Sequence, residues 1–329
     1  MRKIGVLGAG SWGTALSKVL CENGHEVKVW LRDEAQCNDI RTTKINNKYL
    51  PNVILPDNLH FTTDIEEVLG NSEIILNAIP TQKIREVFEM IPKNLVTNKI
   101  IINCSKGIEL KTHYLISEII KEESINSEYV ILSGPSHAEE VALQLPTAIT
   151  AASDNEEAAK IVQDLFMTSY LRVYTNKDVK GVELGGALKN IIALGAGISD
   201  GVGFGDNAKA ALMTRGVLEI SRLGMCLGAE FSTFQGLSGI GDLIVTCTSK
   251  HSRNRNAGFL IGQGLKKDEA IKKIGMVVEG ITTTYAAYEL AKENNVDMPI
   301  VHAMYDVLEN SADVKETVTK LMLREKKDE

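Results

Sequence analysis

Short runs of aliphatic and β-branched residues recur through the first half of the chain, and amphipathic stretches separate them. The runs predict strands at Ile4–Leu7, Val27–Leu31, Ile74–Ala78, Ile100–Asn103, Tyr129–Leu132, Ala148–Ala151 and Leu171–Tyr174. Among the intervening stretches, Thr81–Ile91 and Lys111–Glu122 space their apolar residues as a helix does. Alternating strands and helices predict an α/β fold: a doubly wound, Rossmann-type parallel sheet with crossover helices.

Beyond Asp178 the strand pattern mostly disappears and long helical patterns replace it. The predicted helices are Val182–Ser199, Asn207–Leu227, Glu279–Asn294, Pro299–Glu309 and Ala312–Lys326. A chain of 329 residues is long enough for two hydrophobic cores. We therefore expect a first domain at residues 1–177 and an all-helical second domain at residues 178–329.

Composition and charge narrow the functional class. A net charge of -7 argues against generic binding to nucleic acid or to an anionic membrane. The five cysteines form no C-x-x-C pair, which indicates a reducing compartment and gives no zinc signature. The sequence contains no run of 18 apolar residues, so we expect no membrane span. We expect a cytoplasmic protein that needs no metal.

A glycine-rich turn follows the first predicted strand. Its sequence is Gly8-Ala9-Gly10-Ser11-Trp12-Gly13, and it opens a helical pattern that leads to the second strand. In a strand–turn–helix unit, the first glycine permits the tight turn, the second lets a pyrophosphate approach the backbone, and the third lets helix pack on strand. The helix N-terminus adds free N–H groups for the phosphates. This pattern predicts a site for NAD or NADP.

Two opposite charges end the second strand, at Arg32 and Asp33. An acid at this position binds the ribose diol of NAD, whereas an arginine accepts the 2′-phosphate of NADP. The choice between the two cofactors stays open at this point, with some preference for NADP.

The helix predicted around Gly181–Gly197 consists of small and apolar residues and carries Lys189 in its middle. Its apolar neighbours cover much of the helix circumference, so we expect Lys189 to project into an interior or a cleft. Burial disfavours the ammonium and lowers the pKa, which suits a general base near neutral pH. The alternative is a lysine at the helix edge whose ammonium reaches solvent.

Polar clusters occupy three predicted loops: Asn103–Gly107, Ser133–Ala138, and the segment from Gly239 through Arg255. The first two follow strands, where loops of an open α/β sheet line the ligand crevice. The third contains Ser252-Arg253-Asn254-Arg255 at a helix start. Hydroxyl, guanidinium and amide groups there suit a phosphate, although Ser252 also reads as an ordinary N-cap.

At these residues the chain resembles bacterial NAD(P)-dependent glycerol-3-phosphate dehydrogenase, in order and in similar spacing from about residue 3 to residue 310. The matching blocks are Gly8–Gly13, Ser105–Gly107, Ser133–Ser136, Gly181–Gly197, Gly241–Leu243, Ser252–Arg255 and Val277–Gly280. The resemblance implies reversible hydride transfer between NAD(P)H and dihydroxyacetone phosphate to give sn-glycerol 3-phosphate, and a role in phospholipid synthesis.

The resemblance also assigns residues. It implies that Lys189 exchanges a proton with the oxygen on C2 of the substrate. The substrate-binding positions that it implies are Lys106, Gly134, Ser136, Lys189, Asp242, Ser252, Arg253 and Asn254. Its cofactor positions are Ser11, Trp12, Arg32, Lys106, Ala138, Arg253, Val277 and Glu279, with Tyr49 as a further candidate; the glycine motif adds Gly8, Gly10, Gly13 and Asp33. We expect Lys106 to lower the pKa of Lys189 by like-charge repulsion, and Asp242 or Asn190 to orient its amine.

Two alternatives remain open. Another dehydrogenase of the same architecture, of the 3-hydroxyacyl-CoA or 6-phosphogluconate type, would use a histidine such as His137 as the acid and base. A dinucleotide sensor without turnover would need neither Lys189 nor a second phosphate site. The sequence does not determine the oligomeric state, and a homodimer is left open.

Overall fold

A computed structural model describes residues 1–124 and 126–326. Its contacts divide the chain into two compact units, the first Met1–Lys106 with Tyr114–Val182, the second Gly107–His113 with Glu183–Glu329. The single division expected between residues 177 and 178 stays a prediction. Residues 327–329, the end of the expected second domain, lie outside the described residues.

The first unit contains a large sheet and a small hairpin. The strands are β1 Lys3–Leu7, β2 Glu26–Trp30, β3 Ile45–Asn46, β4 Leu50–Ile54, β5 Leu59–Thr62, β6 Ile74–Asn77, β7 Ile100–Asn103, β8 Glu128–Ser133, β9 Thr147–Ala152 and β10 Leu171–Asn176. Over the described residues the large sheet has eight strands in the order β10-β9-β8-β7-β6-β1-β2-β5, and β3 pairs with β4 in the hairpin. The central strands are apolar and buried, as parallel strands between two helical layers must be.

Seven helices of the described residues connect these strands. They are α1 Ser11–Glu22, α2 Glu34–Thr43, α3 Ile65–Leu69, α4 Ile84–Met90, α5 Ile116–Glu123, α6 Ala138–Ala142 and α7 Glu156–Phe166. Side-chain caps start several of them: Asp33 accepts the N–H of Gln36 at 3.1 Å, and Asn155 accepts that of Glu157 at 3.0 Å. The helix expected over Lys111–Glu122 starts only at Ile116, and Gly107–His113 belongs to the second unit.

The sheet is mostly parallel, which confirms the predicted fold class, although β8 and β9 are antiparallel. The physical reason is the connection between them. Its helix α6 has five residues and is about 8 Å long. Helix α6 packs against α1, and β9 begins beyond the carboxyl end of β8. The chain therefore turns and runs back beside β8.

The second unit is helical, as expected. Its helices are α8 Val179–Val202, which begins in the first unit, α9 Gly205–Cys226, α10 Phe231–Phe234, α11 Asp242–Thr248, α12 Arg253–Gly262, α13 Lys267–Ile274, α14 Glu279–Glu293, α15 Pro299–Glu309 and α16 Val314–Met322. A π-helical turn, Leu237–Gly241, leads directly into α11.

Glycines bring α8 and α12 into backbone contact. A Cβ on Gly197 would lie 1.9 Å from the carbonyl oxygen of Arg255, and one on Gly258 would lie 2.0 Å from that of Leu194. Larger residues would push the two helices apart, so the small residues of α8 are a packing requirement. Helix α8 is also long and apolar enough to cross a membrane, but its most apolar window is wholly buried inside the structure.

Glu219 on α9 is buried, and its carboxylate accepts the N–H of Ile300 at 2.9 Å, in the first turn of α15. Burial raises the pKa of Glu219 from 4.5 to about 7. The N–H groups of Ile300 and Val301 and the charge of Arg222 oppose this shift, whereas Asp297 adds to it. The folded protein therefore binds a proton at Glu219 more tightly than the unfolded chain does.

This shift predicts a pH-dependent stability. A raised folded pKa contributes stability that is complete below pH 4.5 and is lost as the pH rises through about 7, by about 2–4 kcal/mol. Glu219→Gln keeps an acceptor for α15 and cannot ionise. We expect the melting temperature of this variant to rise relative to that of the wild type as the pH rises from 5 to 8. A difference in melting temperature that does not vary with pH would contradict the assignment.

Candidate functional site

The glycine turn between β1 and α1 has the shape expected of a pyrophosphate site. Gly8 has a φ of +106°, and a Cβ on it would lie 2.9 Å from the carbonyl oxygen of Ala78. A Cβ on Gly13 would lie 2.1 Å from the carbonyl oxygen of Gly8. A Cβ on Gly10 would meet no atom within 4 Å in the described residues beyond its chain neighbours. The turn thus leaves room above Gly10, next to the helix N-terminus formed by Ser11 and Trp12. These residues fit a dinucleotide.

At the end of β2, Arg32 and Asp33 point to different partners. Arg32 is 60% exposed and lies 3.7 Å from a carboxylate oxygen of Glu86. Asp33 caps α2, and its second oxygen lies 3.3 Å from the Nζ of Lys48. The N–H of Gln36, and then the ammonium of Lys48, hold the pKa of Asp33 below its ordinary value. Both oxygens of Asp33 therefore have protein partners, while the Arg32 guanidinium stays largely in solvent.

Tyr49 follows Lys48 in the turn between β3 and β4. The Nζ of Lys48 lies 5.2 Å from the centre of the Tyr49 ring, a cation–π distance. The structure therefore places Tyr49 and Asp33 around the same lysine.

The loops after β6, β7 and β8 meet at the carboxyl edge of the sheet in the first unit. Asn77 and Asn103 are fully buried, and their side-chain amides hydrogen-bond at 2.9 Å. The Nζ of Lys106 donates to the carbonyl oxygen of Gly134 at 3.1 Å, and the Oγ of Ser136 donates to the same oxygen at 2.9 Å. Three predicted substrate residues, Lys106, Gly134 and Ser136, are thus in direct contact.

The neighbouring helix α6 begins at Ala138, which is buried, with His137 at its N-cap. This places His137 in a capping position of the first unit.

Lys189 lies on α8 in the second unit and is 6% exposed, so it is buried as expected and does not snorkel to solvent. Its Nζ forms an ion pair with Asp242, the first residue of α11, and donates to the Oγ1 of Thr246 at 2.7 Å. Asp242 and Thr246 lie one helical turn apart, so both face the same lysine. Of the two candidates for orienting this amine, the structure brings Asp242 to it.

Asn190 instead contacts the start of α12. Its Oδ1 accepts the Nδ2 of Asn254 at 2.9 Å, and the Oδ1 of Asn254 accepts the N–H of Gly280 at 2.8 Å. Ser252 is buried and caps α12 by accepting the N–H of Arg255 at 3.2 Å, which confirms the capping interpretation. The side chain of Asn254 therefore joins α8, α12 and α14 within one turn of Lys189.

The remaining predicted residues of the second unit lie at helix starts. Arg253 is exposed at the first position of α12. Val277 is 44% exposed and precedes α14, which begins at Glu279. Across residues 1–124 and 126–326, no group of three or more His, Cys, Asp or Glu side chains has an arrangement that could hold a metal ion.

Sequence reasoning missed several polar residues that hold these sites. Thr246, Asn77, Asn46 and Gln36 each hydrogen-bond a predicted residue or its loop. The sequence does indicate Asn77, because it is a polar residue at the end of an otherwise apolar strand. Thr246 has a weaker signal, as it lies one helical turn after Asp242 in α11. Asn46 and Gln36 had none, because the contacts that they make join segments distant in sequence.

Comparisons with known proteins indicate the same family along the whole chain. Residues 3–159 match the family model described as the NAD-dependent glycerol-3-phosphate dehydrogenase N-terminus, and residues 178–319 match the C-terminus. A relative named glycerol-3-phosphate dehydrogenase [NAD(P)+], from Enterococcus faecalis, is 55% identical over 100% of this chain and 97% of its own. One of the same name from a Thermoanaerobacter species is 54% identical over 99% and 98%.

Solved structures agree with these relatives. The glycerol-3-phosphate dehydrogenase of Coxiella burnetii superimposes with a TM-score of 0.95 at 38% identity, covering 98% of this chain and 99% of that one. The Saccharomyces cerevisiae enzyme gives a TM-score of 0.82 at 31% identity, covering 97% and 98%. The chain therefore belongs to the NAD-dependent glycerol-3-phosphate dehydrogenase family.

Proposed function

We propose that this protein is a cytoplasmic glycerol-3-phosphate dehydrogenase, which reduces dihydroxyacetone phosphate to sn-glycerol 3-phosphate with NAD(P)H and catalyses the reverse reaction. The observation that carries the proposal is Lys189, a lysine buried in α8 whose Nζ is held by Asp242 and Thr246. Such an amine is fixed in direction and shielded from water, as a proton donor to a carbonyl must be. Supply of the phospholipid backbone is the role that the family implies.

The nicotinamide supplies the hydride when it is bound. In the direction of reduction, the ammonium of Lys189 donates a hydrogen bond to the carbonyl oxygen on C2 and transfers its proton as that oxygen gains negative charge. In the direction of oxidation, the neutral amine removes the hydroxyl proton. Asp242 and Thr246 keep Nζ in place in both directions and stabilise the ammonium that forms.

The start of α12 is the proposed site for the substrate phosphate. Arg253 is exposed there, and α12 contributes the positive end of a ten-residue helix. Asn254 ties this helix start to Asn190, the residue after Lys189. A phosphate bound at α12 would therefore lie at a fixed distance from the reacting amine. Holding the remote phosphate orients C2, which converts binding energy into rate.

In the first unit, the proposed cofactor contacts are the glycine turn, Arg32, Asp33, Tyr49, Lys106 and Ala138, and the proposed substrate contacts are Lys106, Gly134 and Ser136. In the second, the proposal assigns Arg253, Val277 and Glu279 to the cofactor, and Asp242, Ser252, Arg253 and Asn254 to the substrate. The mass of the protein in solution would distinguish a homodimer from a monomer.

The first test of this proposal concerns Lys189. We expect Lys189→Met to lower kcat for dihydroxyacetone phosphate by about 10²–10⁴-fold, because the proton donor is lost. NADH and NADPH should still bind, since the glycine turn is unchanged. The measurement is nicotinamide absorbance in turnover assays, with cofactor binding followed by fluorescence. Near-normal turnover would remove Lys189 from the mechanism.

A control is needed because Lys189→Met leaves the carboxylate of Asp242 buried without its ion-pair partner. Breaking a buried pair on one side costs about 3–5 kcal/mol of stability. The double variant Lys189→Met/Asp242→Asn removes both charges and should recover much of that loss. If the double variant is as stable as the wild type and still inactive, the loss of turnover is chemical and not a consequence of unfolding.

Activity of the wild-type protein with acetoacetyl-CoA in place of dihydroxyacetone phosphate would favour the 3-hydroxyacyl-CoA type of dehydrogenase.

The second test concerns the choice of cofactor. Arg32 is exposed, and Lys48 pairs with the acid beside it, so we propose that both cofactors bind, with some preference for NADP(H). Arg32→Ala should weaken NADPH by about 1–3 kcal/mol, the value of a charged hydrogen bond, and NADH much less. The measurement is the KM for each cofactor, and Arg172→Ala, at the opposite edge of the sheet, is the control for a lost exposed arginine.

Lys48→Ala provides an independent readout of the same site. It frees the carboxylate of Asp33 to repel a 2′-phosphate, so the NADPH/NADH ratio of KM values should rise. A ratio that is unchanged in Arg32→Ala and in Lys48→Ala would show that this strand end does not bind the 2′-phosphate.

A further inference from the structure

The carbonyl oxygen of Ala9, in the middle of the glycine turn, accepts hydrogen bonds from two side chains. The Nδ2 of Asn46 donates to it at 2.9 Å, and the Nε2 of Gln36 donates at 3.2 Å. Asn46 is fully buried, and its Nδ2 also donates to the Oγ1 of Thr14 at 2.9 Å. The Oδ1 of Asn46 accepts the Nε2 of Gln36 at 3.2 Å, so the two amides form one network.

This network determines which way the next N–H points. The described residues contain no cis peptide bond, and in a trans peptide the C=O and the following N–H point in opposite directions. When Asn46 and Gln36 hold the Ala9 carbonyl on one side, the N–H of Gly10 must point to the other. The space around Gly10 is open on the side where a Cβ would stand, and α1 begins at the next residue.

The turn needs such support because of its own composition. Gly8 and Gly10 flank Ala9, and glycine adopts many backbone conformations at little cost. A peptide between two glycines rotates easily unless other groups hold it. Asn46 belongs to the β3–β4 hairpin, and Gln36 belongs to α2, so both donors come from elements outside the turn.

We propose that Asn46 and Gln36 are positioning residues of the cofactor site, which hold the Ala9 carbonyl so that the Gly10 N–H faces the pyrophosphate. The proposal rests on the dinucleotide-binding function proposed above. The pyrophosphate is common to NAD and NADP, so the two side chains support both cofactors equally. This separates their role from that of Arg32, which acts on one of the two.

The experiment compares Asn46→Ala with Asn23→Ala. Asn23 is a matched control, since its Nδ2 also donates two hydrogen bonds, in this case to the backbone carbonyls of Leu165 at 2.8 Å and Met167 at 3.2 Å, near the end of α1 remote from the glycine turn. We expect Asn46→Ala to raise the Kd of NADH and of NADPH by the same factor, about tenfold, because the N–H no longer faces a charged group. Asn23→Ala should leave both Kd values within about twofold of the wild type, because the hydrogen bonds to the Ala9 carbonyl oxygen stay in place.

The division between binding and turnover gives a second readout. With saturating cofactor, kcat of Asn46→Ala should stay close to the wild-type value, because Lys189 belongs to another unit. Gln36→Met, a milder change at a half-buried position, should raise both Kd values by a smaller common factor, since Asn46 still holds the carbonyl. If Asn46→Ala does not fold, the Kd values of Gln36→Met alone test the proposal.

Equal Kd values in the Asn46 and Asn23 variants would overturn the proposal, as would wild-type binding in Gln36→Met where it is the deciding variant. A change in the NADPH/NADH ratio would also overturn it, since the network would then act on the 2′-phosphate and not on the pyrophosphate. Failure of the proposed function looks different: the wild-type protein itself would bind neither dinucleotide in the same fluorescence titration.

Discussion

The ammonium of Lys189 is almost completely buried, and burying a charge without a partner costs several kcal/mol of folding free energy. The carboxylate of Asp242 and the hydroxyl of Thr246 offset this cost, and their position explains the local architecture of the second unit. Helix α11 starts at Asp242, directly after a π-helical turn, so that Asp242 and Thr246 face α8 from consecutive turns. Burial shields the amine of Lys189 from water and its two partners fix its direction, which are the conditions that the proposed proton transfer needs.

Much of the fold follows from local patterns. Seven predicted strands match β1, β2 and β6 to β10 to within two residues, because most of them are nearly continuous apolar runs buried on both faces, while β10 at the edge of the sheet alternates buried and exposed residues. The hairpin was missed, since Pro51 and the positive φ of Asn52 interrupt its second strand. Strand β9 was predicted, but its antiparallel direction was missed for a different reason. The direction of a strand depends on where its connection packs in the folded protein, and apolar periodicity does not report that packing.

The candidate site was predictable only where chemistry and position coincide along the chain. The glycine turn and Lys189 stand out, because each has an unusual residue type in a clear structural context. Thr246 and Asn46 do not, since their roles depend on which segments fold against each other. Gly107–His113 illustrates the same limit: it follows Lys106 directly, yet it belongs to the second unit, which no local pattern indicates.

Pairs of neutral amides join neighbouring elements in both units. In the first unit, Asn77 and Asn103 join the ends of β6 and β7 at the carboxyl edge of the sheet; in the second, Asn190 and Asn254 join α8 to α12. An amide offers a donor and an acceptor without a net charge, so it can be buried at a far lower cost than an ion. A site that must bind anionic ligands gains a second advantage. Neutral side chains fix the backbone and leave the local field to the charged residues of each unit, such as Lys106 in the first and Arg253 in the second.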